Sequence, residues 1–257
     1  MPGVPAQTHR SLRQRAVGEG PEGRTNRPAP ARLGVLGGFA LHRDGALAQQ
    51  PPHVQRLLAF LALHRRPLHR SFVSGRLWPD VTQDHAFGCL RSTLWRIGDC
   101  GGLLEATRTD LALGHWVEVD ATDLERCAEE ILRRGGIADD AEVRLLVGSA
   151  NLRPDWYDDW VLEERERLSE LRVLALELAA EELIAAGAYS DAALVAKAAV
   201  RADPLRESAT RLLIRLHLAT GNPGEAVRVY RSFTARLSHD LELEPSPQIV
   251  ELVGGLT

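Results

Sequence analysis

The sequence predicts a mainly α protein in two parts. An N-terminal winged helix-turn-helix of mixed α and β structure precedes an all-α, tetratricopeptide-like helical domain. Three observations carry this prediction. Between residues 32 and 119, strand signals are followed by three short helices and a closing hairpin, the order of a winged helix. From residue 121 onward, Leu/Ala stripes alternate with charged residues in almost every segment. Within that helical part, Gly187-Ala188-Tyr189-Ser190-Asp191-Ala192 matches Gly221-Asn222-Pro223-Gly224-Glu225-Ala226 at an offset of 34 residues, the tetratricopeptide period.

Three regions follow: an arm over 1–31, a winged helix over 32–120 and a helical domain over 121–257. The first holds Pro2, Pro5, Pro21, Pro28 and Pro30 with few periodic apolar positions, which predicts a disordered Arg/Pro-rich arm. Its arginines admit contact with phosphates; a non-functional tail is the plainer reading. In the winged helix, residues 32–41 read as one strand, returned as a hairpin at Arg43-Asp44-Gly45. Val54, Leu57, Leu58 and Leu61 define an amphipathic helix that Pro67 ends. A second helix spans about 70–78, with Ser71 as its cap and Pro79 as its stop. A third runs over 84–97 to Gly98, and strands 103–108 and 111–119 turn at Thr109-Asp110. Beyond them, helices are expected over 121–134, 140–150, 160–187, 190–202, 205–220, 223–238 and 246–253.

The third helix carries the functional argument. At 100° per residue, Phe87, Leu90, Leu94 and Ile97 cluster on one side. The opposite side presents His85, Gly88, Ser92, Trp95, Arg96 and Asp99, with Arg91 on the flank. A helix of this kind can enter the major groove of double-stranded DNA, where arginine reaches guanine edges or phosphate. Arg108 sits between Thr107 and Thr109 at the expected wing tip, suited to the minor groove or to phosphate. Arg70, Ser71 and Arg76 lie on the second helix, whose start commonly faces phosphate. Each of these residues also has a bland reading as part of a solvated surface, and Trp95 has one as packing against the wing or the neighbouring domain.

Composition narrows the classes. The chain has 257 residues, 44% hydrophobic and 26% charged, with a formal charge of −4. That charge is uneven: +4 over 1–32, +1 over 33–120 and −9 over 121–257. A DNA-binding part of only +1 predicts modest, salt-sensitive affinity and a need for two protomers on repeated half-sites, as a homodimer on DNA, or for a partner protein. No apolar run reaches the length of a membrane span, and no secretory h-region occurs, so a cytoplasmic location is expected. Cys89, Cys100 and Cys127 lack CxxC spacing, which argues against a disulfide framework. His64, His69, Cys89, Cys100 and His115 have no metal-ligand spacing, and neither GxSxG nor HExxH is present. No cofactor, metal or catalytic residue is therefore expected. Asp155, Asp158 and Asp159 beside Trp156 and Trp160 read either as a helix start with inward tryptophans or as a docking patch. The run 163–172 reads as a solvated, ion-paired helix face.

Several segments together resemble a known family. They are Arg32-Leu33-Gly34-Val35-Leu36-Gly37, the helix 56–63, Leu77-Trp78-Pro79-Asp80, and Leu90-Arg91-Ser92-Thr93-Leu94-Trp95-Arg96-Ile97. Residues 117–124, 202–207, 226–230 and 241–247 continue the likeness over about 32–254. Their order and spacing resemble the Streptomyces antibiotic regulatory proteins: an OmpR-type winged helix followed by a bacterial transcriptional activation domain. The resemblance implies activation of transcription, often in secondary metabolism, through binding of direct repeats near promoters. It also implies contact with RNA polymerase through the loop between the second and third helices, here Trp78, Asp80, Thr82 and Gln83. Longer relatives carry an ATPase domain, but no GxxxxGK[ST] segment occurs here, so ATP hydrolysis is not expected. Gly98, Asp99, Cys89 and Trp95 depart from the family pattern. They leave open a second reading, a protein-interaction adaptor whose degenerate winged helix no longer binds DNA.

Overall fold

A computed structural model describes residues 31–97 and 102–255. The expected arm therefore lies outside the described residues, apart from Ala31, which opens the first strand. Gly98 as a helix stop and Asp99 as a surface residue lie outside them too.

The stretch expected as one strand over 32–41 is two, β1 (Ala31–Gly34) and β2 (Ala40–Arg43), paired antiparallel with Ala31 opposite Arg43. The chain bends between them at Gly37, whose φ of +74° an L side chain would resist. Asp44 and Gly45 both have positive φ, the primed turn that Asp-Gly favours, and they lead into β3 (Ala46–Leu47). Helix α1 (Pro52–His64) begins with proline at its first position and ends where Arg65 turns left-handed, two residues before Pro67. Val54, Leu57, Leu58 and Leu61 are buried as their spacing predicts; Ala59, Phe60 and Ala62 are buried as well, because other elements pack on the helix from several sides.

After the short strand β4 (Leu68–His69) comes helix α2 (Arg70–Leu77). Its cap is His69 rather than Ser71: the imidazole accepts from the Ser71 amide at 3.4 Å and bonds the Ser71 hydroxyl at 2.6 Å. Helix α3 spans Gln83–Ile97. The region expected as two long strands forms three: β5 (Leu104–Ala106), β6 (Asp110–Leu113) and β7 (Val117–Val119). Only β5 and β6 make the wing, in a sheet of order β4-β6-β5. Strand β7 leaves at Gly114 and pairs parallel with β1, completing the sheet β3-β2-β1-β7. Pairing with a strand some 85 positions earlier is invisible to local periodicity.

Seven helices follow: α4 (Asp120–Arg134), α5 (Asp140–Gly148), α6 (Asp159–Ala185), α7 (Tyr189–Ala202), α8 (Glu207–Ala219), α9 (Pro223–Leu241) and α10 (Pro247–Val253). The Asp139 carboxylate caps α5 by accepting from the Ala141 and Glu142 amides at 2.8 and 3.0 Å. The repeat is real in three dimensions. Gly187 and Gly221 have φ of +73° and +72°. After each, the next amide reaches back five residues, Ala188 to the Leu183 carbonyl at 2.9 Å and Asn222 to that of His217 at 2.8 Å. Both helices thus end in the same Schellman closure, and Ala192 and Ala226 are equally buried at the start of the next helix.

No linker separates the two parts, since β7 runs straight into α4. The Asp120 carboxylate accepts from the Val35 and Leu36 amides at 2.9 and 3.1 Å, tying the end of β1 to the first turn of α4. Burial pushes this carboxyl above the usual range, against the opposing pull of its amide donors. Leu152, Trp160, Val161 and Leu168 of the helical part pack into the same apolar core as α1, α2 and the sheets.

Candidate nucleic-acid interface

Helix α3 buries Ala86, Leu90, Thr93 and Ile97. The buried stripe is rotated from the one expected, leaving Phe87 and Leu94 half-buried. A threonine takes a core position because its hydroxyl donates to the Cys89 carbonyl one turn back at 2.9 Å, so no polar group is left unpaired. His85, Arg91, Ser92, Trp95 and Arg96 are exposed, and Trp95 keeps 82% of its surface open. Trp95 therefore packs neither on the wing nor on the helical part. Gly88 is half-buried; a Cβ there would meet only the Arg91 guanidinium, at 3.9 Å.

Beside this face stands the wing. Thr107, Arg108 and Thr109 form its exposed tip, where the Thr107 hydroxyl accepts from the Asp110 amide at 2.9 Å. Arg70 holds the tip from behind: its guanidinium donates twice to the Thr107 carbonyl, at 3.2 and 2.8 Å, while its amide donates to the Thr109 carbonyl at 2.8 Å. A cleft of about 450 Å³ separates wing from helix, lined by Arg70, Arg91, Trp95, Leu104 and Ala106 among others. The structure thus brings Arg70, Arg91 and Trp95 together at the cleft, while Ser92 and Arg96 are exposed on the same helix. Ser71 lies close by, its hydroxyl engaged by His69.

Arg76 is the exception on α2. It turns to the helical part and pairs with Glu163 at 2.6 Å. Trp78 is half-buried against the shared core, while Pro79, Asp80, Val81 and Thr82 are exposed. Gln83, expected in that loop, opens α3 instead, one residue before the expected start at Asp84, which suits the positive helix end.

Sequence reasoning missed what stands next to this loop. Tyr157, 77% exposed, shares a cleft of about 390 Å³ with Arg76, Asp80 and Asp159. The acidic-aromatic segment thus has two sides: Trp160 faces the core, whereas Tyr157 faces out. Arg56 pairs with Asp158, fixing this segment to α1. The run 163–172 is no solvated face throughout. Arg165 donates to the carbonyls of Leu152 (2.8 Å), Arg153 and Trp156 (2.7 Å), and buried Arg172 donates to that of Leu146 at 2.8 Å. These carbonyls close the turn before α6 and the end of α5, which local sequence does not satisfy. Burial pushes the Cys127 thiol up to about 11, the behaviour of a core residue.

Among the described residues no group of three or more His, Cys, Asp or Glu is placed to hold a metal ion. No helix among them is long and apolar enough to cross a membrane.

Residues 140–256 match the model of the bacterial transcriptional activator domain. The regulatory protein AfsR of Streptomyces coelicolor is 30% identical over 239 residues, 86% of this chain and 24% of AfsR. The chain is thus similar to the Streptomyces antibiotic regulatory proteins, a family of transcription regulators, and carries a bacterial transcriptional activator domain over 140–256. It spans about a quarter of the length of that curated relative. In three dimensions it resembles Mycobacterium tuberculosis EmbR, solved in complex with a low-affinity phosphopeptide. The TM-score is 0.66 at 21% identity, over 88% of this chain and 64% of that one. That likeness establishes a shared fold, a winged helix joined to stacked helices. The family is one of regulators and not a class of enzymes.

Proposed function

We propose that this protein is a member of that family, an activator that binds direct repeats in double-stranded DNA near promoters and recruits RNA polymerase. The observation carrying this reading is the exposed face of α3: Arg91, Ser92, Trp95 and Arg96 stand free of ion pairs among the described residues, on a helix held rigid by its buried side. In the proposed complex α3 enters the major groove, with His85 and Gly88 nearer the helix start. Arg108, between Thr107 and Thr109, contacts phosphate or the minor groove, while Arg70 and Ser71 stand beside the backbone. Two protomers would occupy adjacent repeats as a homodimer on DNA, compensating for a winged part of only +1 charge. Exposed Asp80 and Thr82, with Gln83 in the first turn of α3 and Trp78 anchoring the loop on the core, are proposed to meet polymerase. Tyr157 beside the loop extends that surface.

The test is binding of the full chain to its own upstream promoter fragments, across a salt series, with Arg96→Ala alongside. Sequence-selective binding that weakens with salt, and by about 1–3 kcal/mol with the substitution, supports the reading. Absence of binding at low salt overturns it. For the polymerase contact, Asp80→Ala should leave DNA affinity unchanged while lowering transcription from the same promoter in a purified system.

A further inference from the structure

We propose that Trp95 reads the C5-methyl group of a thymine in the major groove, making it a specificity-determining residue. This rests on the DNA-reading function proposed above and assigns one side chain its chemical target.

The argument starts from an anomaly of exposure. A tryptophan left 82% open keeps a large apolar surface in water, although two neighbours on the same helix, Leu90 and Ile97, are buried. The ring has no aromatic partner among the described residues, whereas Trp116 and Trp156 each have one and Trp160 has two. Nothing within the fold covers it. Its surroundings say what would. Arg91 lies one turn back and Arg96 next along, both exposed, so the indole stands within a polar, cationic face suited to nucleic acid. The cleft beside it toward the wing is floored by Leu94, Leu104 and Ala106.

Among the groups on base-pair edges in the major groove, the apolar one is the thymine methyl; the rest are hydrogen-bond donors and acceptors. An indole has one donor and no acceptor, so its broad face matches the methyl better than any polar edge. Four residues of helix rise about 6 Å, less than two base-pair steps, so the thymine falls within about two base pairs of the position Arg91 reads.

The experiment uses the full chain and a binding site selected from a randomised duplex library. The site is resynthesised with deoxyuridine in place of each thymine in turn, which removes only the methyl group. Affinities are measured for the wild type, Trp95→Ala and Arg96→Ala. Deoxyuridine at one thymine of each repeat should weaken wild-type binding about fourfold, the effect of one buried methyl. Trp95→Ala should bind both duplexes equally; Arg96→Ala should bind more weakly yet keep the fourfold difference. Because Trp95 is exposed, its replacement leaves the core intact, which an unchanged melting temperature verifies. Deoxyuridine being neutral at every position overturns the thymine assignment while leaving groove reading in place. A Trp95→Ala variant that keeps the full fourfold penalty overturns it as well. Failure to select any site overturns both the assignment and groove reading.

Discussion

Phe60 of α1 and Trp160 of α6 meet edge to face at 5.1 Å, their ring planes 89° apart, and neither keeps more than 3% of its surface exposed. One ring belongs to the winged part and the other to the helical part. The seam between the two is therefore a core contact, unlike the loose surface usual between tethered domains. Trp160→Ala should cost about 3 kcal/mol. Because the cavity opens in a core that both parts share, urea unfolding of the wild type should be one cooperative transition, and the variant should separate it into two. Two coincident probes, far-ultraviolet dichroism and tryptophan fluorescence, check this.

Arg70 is placed to support the wing. Its two bonds to the Thr107 carbonyl and the amide bond to Thr109 fix the tip that carries Arg108. Arg70→Ala should speed hydrogen exchange at residues 107–110 and weaken DNA binding about tenfold, the scale of one charge-assisted hydrogen bond. Arg70→Lys should fail to restore the wing, since an ammonium cannot present the guanidinium fork. A substitution that lowered affinity and left exchange at the tip unchanged would count against support of the wing.

The helix closure at Gly221 invites a clean measurement. A Cβ there would meet nothing within 4 Å, so the cost of Gly221→Ala comes from the positive φ alone. It should be about 1 kcal/mol, read as a lower melting temperature. Gly187→Ala should cost the same, because the backbone repeats.

Glu142 gives stability a pH dependence. It accepts two bonds from Arg134, at 3.1 and 2.8 Å, and one from the Ala138 amide at 2.7 Å. The Arg134 guanidinium, above all, holds its carboxyl below the usual range. A carboxyl whose pKa is lower folded than unfolded stabilises the fold above its unfolded value, and that contribution disappears as pH falls through the folded value. Glu142→Gln should cost about 1 kcal/mol at pH 7 and progressively less as the pH falls below 4. Urea midpoints at the two ends of that range test it.

Much of this was legible before any coordinates. The seven helices of the second part fall within a few residues of their expected bounds, because apolar spacing and capping act within one or two turns. The exposed face of α3 was legible for the same reason. Its buried side was less so: Thr93 looks polar until the Cys89 carbonyl is seen above it. The wing was read too long, because the departure of β7 to pair with β1 depends on a strand far back in the chain.

The sequence by itself determined the order of the helices, the 34-residue repeat with its two glycines, and which side of α3 carries arginine. Those features rest on propensity and period, which neighbouring residues settle among themselves. Only the tertiary structure decided that Arg70 grips the wing while Arg76 crosses to Glu163. It decided too that Trp160 is buried while Trp95 and Tyr157 stand open. Six residues separate the two arginines on one short helix, and a turn of that helix sends them to partners 37 and 87 positions away. Such partners are chosen by packing between distant segments, where burial and hydrogen bonding act on distance in space and are blind to distance along the chain.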